Sequence, residues 1–278
     1  MWSPSRDEVA IWSRPLAASE VTQLFNPAGN ATSYWTLDEA SGTRNDSVGT
    51  NHLTDNNTVT QGSGKIGNAA QFTAASSEWL SVADNSSLGF TTAMSASFWI
   101  RQDSLALDRA FVGKWAYQTD GGWAIQSGNA SGNSGDLSIY LATSATDDGT
   151  GCRMDFNDAD MSASTWYHVL VVYDGTLTGN ANRLKVWVNG VPKTLTVGAG
   201  AVPSTLRNDT AALNFGKFGG TWTRYLDGRM DEVRIWGRAL SSAEASQVYN
   251  AGNGLTYPPA DTIPPTITLT EPTNAVLQ

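Results

Sequence analysis

The sequence has little of what several common classes of protein require. Its 278 residues include a single cysteine, Cys152, which excludes an intrachain disulfide and a zinc site built from cysteines. Lysine and arginine number 17 against 26 acidic residues, for a net charge of −9, so the basic surface that nucleic-acid binding requires is missing. No apolar run approaches the roughly 18 residues of a membrane-spanning helix, which predicts no membrane insertion.

Glycine and tryptophan are abundant instead. The 27 glycines suit a chain of many short strands, because glycine adopts the positive φ angles of tight turns at no steric cost. Eleven tryptophans indicate either a heavy core or a surface that stacks on sugars. The length is large for one ordinary domain, although a β-sandwich can use more than about 200 residues as one unit.

A duplicated segment indicates the domain organisation. Residues 7–26 and 231–250 are identical at ten of 20 positions, with a constant offset of 224 residues. Unrelated segments of this length would share about one position. We therefore expect residues 1–29 to be the tail of a preceding domain, with a strand and a helix, and residues 30–254 to be a complete domain of a tandem array.

Alternating hydrophobicity predicts many strands. In residues 184–188 three aliphatic side chains share one face, while Lys185 and Trp187 share the other. Asn189-Gly190 follows and is typical of a tight hairpin turn. The only convincing helix spans residues 242–251. Many antiparallel strands with one terminal helix predict an all-β fold of two packed sheets.

Several segments, in chain order, carry a family resemblance: Trp35-Thr-Leu-Asp-Glu-Ala-Ser-Gly, Ser97-Phe-Trp-Ile, Trp166-Tyr-His-Val, Trp187-Val-Asn-Gly-Val and Leu226-Asp-Gly-Arg-Met-Asp-Glu-Val-Arg-Ile-Trp. They resemble laminin-G-like domains of the concanavalin-A-like lectin/glucanase superfamily, and the match covers nearly all of residues 31–254. The resemblance implies a jelly-roll β-sandwich of two antiparallel sheets with one short C-terminal helix. Residues 255–278 resemble a proline-rich linker followed by the first strand of a bacterial immunoglobulin-like module.

The acidic residues do not predict catalysis. A glycosidase needs two carboxylates flanking the scissile bond, roughly 5–10 Å apart. None of the seven glutamates belongs to a Glu-x-Asp-x-Glu cluster. The densest acidic run, Asp155, Asp158 and Asp160, is interpreted as a solvated turn. His168 alternates with apolar neighbours and is interpreted as a packed structural residue, so the chain is predicted not to be an enzyme.

One structural calcium ion is a further hypothesis. Asp46 and Asp231 would supply carboxylates, and Asn51 or nearby carbonyl oxygens would complete a shell of six to eight oxygens. The resemblance also implies a calcium ion near these positions. The alternative is that Asp46 caps a turn and Asp231 caps its own backbone.

A carbohydrate site is predicted from aromatic residues that have no obvious place in the core. Sugars present apolar C–H faces, so their sites combine exposed aromatic rings with polar side chains. The candidate side chains are Trp115, Tyr117, Trp222 and Trp187, aided by Arg109, Asp120 or Arg224. The alternative is that these rings pack between the sheets or cover an edge of the sandwich.

These observations favour a non-catalytic, lectin-like module that binds a polysaccharide or glycan. It would belong to a secreted or cell-surface multi-domain bacterial protein, with a signal peptide upstream of residue 1. A structural or adhesive repeat is the alternative, and a glycoside hydrolase fits least well. Residues 1–29 predict possible self-association, because a strand without its parent sheet can pair with a neighbouring molecule.

Overall fold

Two β-sheets pack face to face in the computed structural model. It describes residue 15 and residues 31–254, except 119, 129–132, 143, 145–150, 209 and 221–223. The predicted preceding-domain tail (Pro15 apart) and the predicted linker and immunoglobulin-like strand therefore lie outside the described residues. Two α-helices are described, α1 (Asn180–Arg183) and α2 (Ser242–Tyr249).

Short strands account for most of the described chain. In chain order they are β1 (Ser33–Trp35), β2 (Thr54–Asn56), β3 (Thr60–Ser63), β4 (Asn68–Phe72), β5 (Trp79–Val82), β6 (Ala93–Gln102), β7 (Ala110–Tyr117), β8 (Asp120–Ser127), β9 (Leu137–Leu141), β10 (Cys152–Phe156), β11 (Tyr167–Asp174), β12 (Leu184–Val188), β13 (Val191–Pro192), β14 (Thr196–Gly200), β15 (Leu213–Phe215), β16 (Gly219–Gly220) and β17 (Gly228–Trp236).

The strands form two sheets. Sheet A has the order β13-β12-β11-β6-β17-β4-β3, with β1 also paired to β17. Sheet B has the order β14-β10-β9-β8-β7-β15-β5-β2, with β16 also paired to β7. The described pairs are antiparallel except β16 with β7, which is parallel. The prediction of a two-sheet antiparallel sandwich is confirmed.

The main core lies between the sheets. Successive side chains of a strand point to opposite faces, so β6 contributes Phe98 to this core and Trp99 to the outer face. Phe98 meets Phe111 of sheet B with ring centroids 6.1 Å apart, and Trp35 meets Phe215 edge-on at 5.1 Å. These two ring pairs each join a strand of sheet A to a strand of sheet B.

The helix and the hairpin form where local sequence signals predict them. Asn189 and Gly190 have φ angles of 50° and 74°, as a two-residue turn between twisted strands requires. Ser241 caps α2, because its Oγ accepts a bond from the Glu244 amide while the Glu244 carboxylate accepts one from the Ser241 amide. The α-helix ends at Tyr249, two residues earlier than expected, because Asn250 turns left-handed at φ 48°.

Helix α2 covers part of the outer face of sheet A. Ala245 and Val248 pack on Leu170, Trp187 and Trp236 in a second apolar cluster. Within the described part of the chain, no helix is long and apolar enough to cross a membrane. The two outer faces of the sandwich therefore differ, because α2 packs on sheet A and not on sheet B.

Candidate functional site

Two of the aromatic residues predicted to bind sugar are buried. Trp115 is 1 % exposed on the outer face of sheet B, where its ring stacks on Tyr140 at 5.4 Å and contacts Phe218 at 5.9 Å. Trp187 faces away from the main core as expected, but it is 7 % exposed because α2 covers it. The structure thus differs from the expectation of an exposed ring at both positions.

The side chains of the other two predicted aromatic residues lie outside the described part of the structure. Trp222 lies outside the described residues. Tyr117 ends β7, and its side chain is also outside the described set. Asp120 begins β8 and accepts a hydrogen bond of 2.8 Å from the Thr210 hydroxyl. The structure provides no contact between Asp120 and the two predicted arginines.

Arg109 and Arg224 come together at one end of sheet B. Arg224 forms an ion pair with Asp108, whose carboxylate also accepts a 2.9 Å bond from the Gln126 amide. Arg109 donates through Nη1 to the carbonyl oxygen of Tyr225 at 3.1 Å. Of the two predicted arginines, Arg109 therefore contacts Tyr225, which follows Arg224 in the chain and which the sequence did not single out.

Tyr225 belongs to an aromatic pair with Trp79. Their ring centroids are 6.1 Å apart and their planes are inclined by 43°. The ammonium group of Lys217 lies 4.3 Å from the centroid of the Trp79 ring and 5.7 Å from that of Tyr225. All three side chains are partly exposed. We refer to Trp79, Lys217, Tyr225 and Arg109 as the Trp79 cluster.

Strand alternation places Trp79 on the outside of the sandwich. Leu80 is fully buried in the main core, so Trp79 and Ser81 point to the opposite face of β5. The alternation of Trp79 with the apolar Leu80 in Trp79-Leu-Ser-Val could have indicated from the sequence that Trp79 points away from the core. It could not have indicated that the ring is exposed, because Trp99 also points outward and is buried.

Backbone hydrogen bonds fix the segment that carries Tyr225. The Ala110 amide donates to the Arg224 carbonyl at 3.0 Å, and the Leu226 amide donates to the Gly216 carbonyl at 2.9 Å. Gly216 has a φ of 80°, where a residue with a β-carbon would be strained. Tyr225 is therefore held on both sides by neighbouring backbone.

Asp46 uses its carboxylate to close its own loop. Oδ1 accepts bonds from the amides of Tyr34, Val48 and Gly49 at 3.0–3.2 Å, and Oδ2 accepts one from Asn51 at 3.1 Å. The Asn51 side chain is in turn hydrogen-bonded to Ser33, Asn85 and Ser87. Both predicted ligands in this loop are saturated by protein donors and acceptors.

Asp231 serves a different loop. Its Oδ2 accepts bonds from the amides of Lys65 and Ile66 at 2.8 and 2.9 Å. The residue is fully buried, and burial raises the pKa of its carboxyl group to about 8. Oδ1 has no hydrogen-bond partner in the described structure.

The three predicted calcium ligands therefore do not fit a common site. The Asp46 carboxylate accepts a hydrogen bond from the Asn51 amide within one loop, whereas the Asp231 carboxyl group accepts bonds from amides of the loop after β3. Among the described residues, no group of three or more histidine, cysteine, aspartate or glutamate side chains could hold a metal ion. The geometry favours the alternative that both aspartates cap backbone turns.

The remaining chemical groups singled out in the sequence have structural partners. Asp155 accepts bonds from Ser138 Oγ at 2.7 Å and Arg153 Nε at 3.2 Å, and Asp158 accepts from the Thr194 amide. His168 is buried with Nε2 2.9 Å from Ser97 Oγ, and burial lowers its pKa to about 3. The contacts of His168 agree with its interpretation as a packed structural residue. The interpretation of the acidic run as a solvated turn is wrong for Asp155, which is buried in β10, whereas Asp158 lies in the turn that follows this strand.

Comparison with known proteins identifies the fold. A family model described as the concanavalin A-like lectin/glucanases superfamily matches residues 73–246. Domain 4 of AbnA, a GH43 extracellular arabinanase from Geobacillus stearothermophilus solved with arabinotriose, superposes with a TM-score of 0.56 and 20 % identity. That match covers 78 % of this chain and 97 % of the domain. No curated protein matches the chain in sequence.

Toxin binding domains share the fold as well. The binding domain of Paraclostridial Mosquitocidal Protein 1 matches with a TM-score of 0.58 and 18 % identity over 81 % of this chain and 53 % of its own. Botulinum neurotoxin type C, which depends on two ganglioside molecules to get into cells, matches with a TM-score of 0.57 and 12 % identity over 82 % and 52 %. This chain thus spans about half the length of the toxin domains, and at these identities the likeness shows the fold.

Proposed function

Since the chain belongs to the concanavalin A-like lectin/glucanases superfamily, we propose that it is a carbohydrate-binding, lectin-like module without catalytic activity. The observation that carries this proposal is the Trp79–Tyr225 pair, two partly exposed rings on the outer face of sheet B. Aromatic rings of this kind stack on the apolar faces of sugars. Lysine and arginine N–H groups beside them can donate to sugar hydroxyls.

The structural neighbours support a carbohydrate as the class of ligand. The arabinanase domain was solved with a bound oligosaccharide, and the type C neurotoxin interacts with gangliosides. The arabinanase is extracellular, and the neurotoxin enters cells. We therefore place this chain in a secreted or cell-surface multi-domain bacterial protein, such as a polysaccharide-active enzyme.

The absence of catalysis is part of the proposal. The carboxylate next to the Trp79 cluster, Asp108, is bound to Gln126 and Arg224. Hydrolysis of a glycosidic bond needs two carboxylates that flank it. Glu78, which precedes Trp79, is buried and accepts a hydrogen bond from the Thr73 amide. A glycoside hydrolase therefore remains the least favoured reading.

The test is a polysaccharide affinity-gel screen of the purified chain, repeated with Trp79→Ala and Tyr225→Ala. We expect one polysaccharide class to retard the chain, and each variant to weaken binding about tenfold, which is about 1.4 kcal/mol. Trp166→Ala is the matched control, because Trp166 is also partly exposed but lies beside β11 of sheet A. Equal weakening by all three variants would contradict a site at Trp79.

A structural or adhesive repeat is the second candidate, favoured by the duplication of residues 231–250 at residues 7–26. It predicts self-association of the full chain, seen as concentration-dependent sedimentation. Ile11→Glu, in the strand predicted from the sequence, should abolish that association. Folded protein that binds no polysaccharide and self-associates would replace the first proposal with this one.

A further inference from the structure

Two cations in the Trp79 cluster form no ion pair with a carboxylate of the described residues. Lys217 contacts the rings of Trp79 and Tyr225 and forms no ion pair with a described carboxylate. Arg109 donates to the Tyr225 carbonyl, and its buried Nε has no hydrogen-bond partner in the described structure. The whole chain carries a net charge of −9, so acidic side chains are not scarce.

The neighbouring Arg224 shows that the fold supplies a carboxylate at this end of the sheet. The Asp108 carboxylate forms an ion pair with Arg224 through one oxygen and accepts a hydrogen bond from Gln126 through the other. Arg109, the next residue in the chain after Asp108, forms no ion pair with a carboxylate of the described residues. A partly buried cation with an unsatisfied donor is costly unless an anion compensates it.

The geometry leaves both cations able to bind an anion. An ammonium group has three N–H donors, and an aromatic ring face occupies only one side of it. A guanidinium group has five N–H donors, and one of those of Arg109 is used by the Tyr225 carbonyl. A carboxylate accepts charge-assisted bonds from both groups, and such bonds are roughly twice as strong as those to a neutral hydroxyl.

We propose that the Trp79 cluster binds a glycan that carries a carboxylate, such as a uronic acid or a sialic acid. The sugar ring lies on the Trp79–Tyr225 pair, and Lys217 and Arg109 hold the carboxylate. This inference rests on the proposed carbohydrate-binding function and specifies its ligand. It predicts that the negatively charged chain prefers a negatively charged polymer, against the repulsion of its overall charge.

The experiment compares each acidic ligand with a neutral counterpart. Polygalacturonate is paired with its methyl-esterified form, and vesicles with a sialylated ganglioside are paired with vesicles of its asialo form. We expect the acidic member of one pair to bind at least about tenfold more tightly, and the pair that responds identifies a soluble polysaccharide or a membrane glycolipid as the source. Added salt should weaken this binding, because ions screen exposed charges.

Variants of Lys217 test the residue directly. Lys217→Gln should lower affinity for the acidic ligand about fivefold to tenfold, and Lys217→Arg should restore most of it. Lys185→Gln, at an exposed position of β12, is the matched control and should have no effect.

The outcomes separate this inference from the function on which it rests. Equal binding of the acidic and neutral members would overturn the preference for a carboxylate and leave carbohydrate binding in place. Unchanged binding of the acidic ligand by Lys217→Gln would also overturn it. If folded protein binds neither these ligands nor any neutral polysaccharide, the proposed function itself is wrong.

Discussion

The indole of Trp115 stacks on the ring of Tyr140 with a centroid separation of 5.4 Å and an angle of 17°, on the face of sheet B that points away from the main core. Phe218 and three alanines complete this small apolar cluster. A tryptophan in a turn-rich region thus serves packing, although its sequence context suggests a binding role.

Replacing Trp115 should therefore affect stability. We expect Trp115→Ala to lower the free energy of unfolding by about 3–5 kcal/mol, as is usual for a buried aromatic side chain, and Trp115→Phe to cost less. Urea unfolding measures both. Loss of glycan binding by Trp115→Ala at unchanged stability would show instead that this ring contacts the ligand.

Protonation of His168 should destabilise the fold in mild acid. Burial lowers its pKa to about 3, so between about pH 6.5 and pH 3 the unfolded chain binds a proton that the folded chain excludes. This group alone should lower the free energy of unfolding with decreasing pH in this window, by up to about 1.4 kcal/mol per pH unit. Asp231 acts in the opposite direction, because its raised pKa makes the folded chain bind a proton that the unfolded chain releases.

Comparison of the wild type with His168→Gln isolates that contribution. The glutamine keeps a polar group near Ser97 Oγ, which lies 2.9 Å from His168 Nε2, but does not titrate. Urea unfolding at pH 6.5 and pH 4.5 should show a larger loss for the wild type than for the variant. Equal losses would mean that other groups cause the acid sensitivity.

Calcium should have little effect on the described fold. Asp46 and Asp231 cap separate loops, so we expect the same melting temperature in excess calcium and in excess EDTA. Asp231→Asn should be at least as stable as the wild type at pH 7, because the amide oxygen can accept the same two bonds and, unlike the buried carboxyl group, needs no proton uptake on folding. A clear drop of the melting temperature in EDTA, or a strongly destabilised Asp231→Asn, would restore the calcium hypothesis.

The N-terminal cap of α2 should contribute measurably to stability. Ser241→Ala removes the hydroxyl that accepts the Glu244 amide and should cost about 1 kcal/mol. Ser242→Ala is the matched control, because that exposed serine is the first helical residue and accepts no such bond. Thermal unfolding of the two variants should differ; identical melting temperatures would show that the cap is dispensable.

Local signals in the sequence predict much of the fold. The Asn189-Gly190 turn, the alternation along β12 and the helix at Ser242 all depend on neighbouring residues, and each appears in the structure. These features need no knowledge of distant contacts. The family resemblance adds the arrangement of the strands as a jelly-roll sandwich of two sheets.

The candidate site is harder to predict, because burial of an outward-facing ring depends on distant parts of the chain. Trp187 points away from the core, as alternation indicates, but only the packing of α2 shows that it is covered. Conversely, Trp79 meets Tyr225 across about 150 residues of sequence. Its alternation with Leu80 marks its outward face, but nothing local indicates its partners.

The anchoring of Tyr225 has a consequence for how selective this surface can be. Its segment is held through Arg224 and Leu226, and its own carbonyl accepts a bond from Arg109. This segment loses its conformational entropy when the chain folds, so ligand binding does not have to order it. A preorganised surface of this kind adapts little, and it should accept a narrow range of sugar shapes and discriminate among them chiefly through their rates of dissociation.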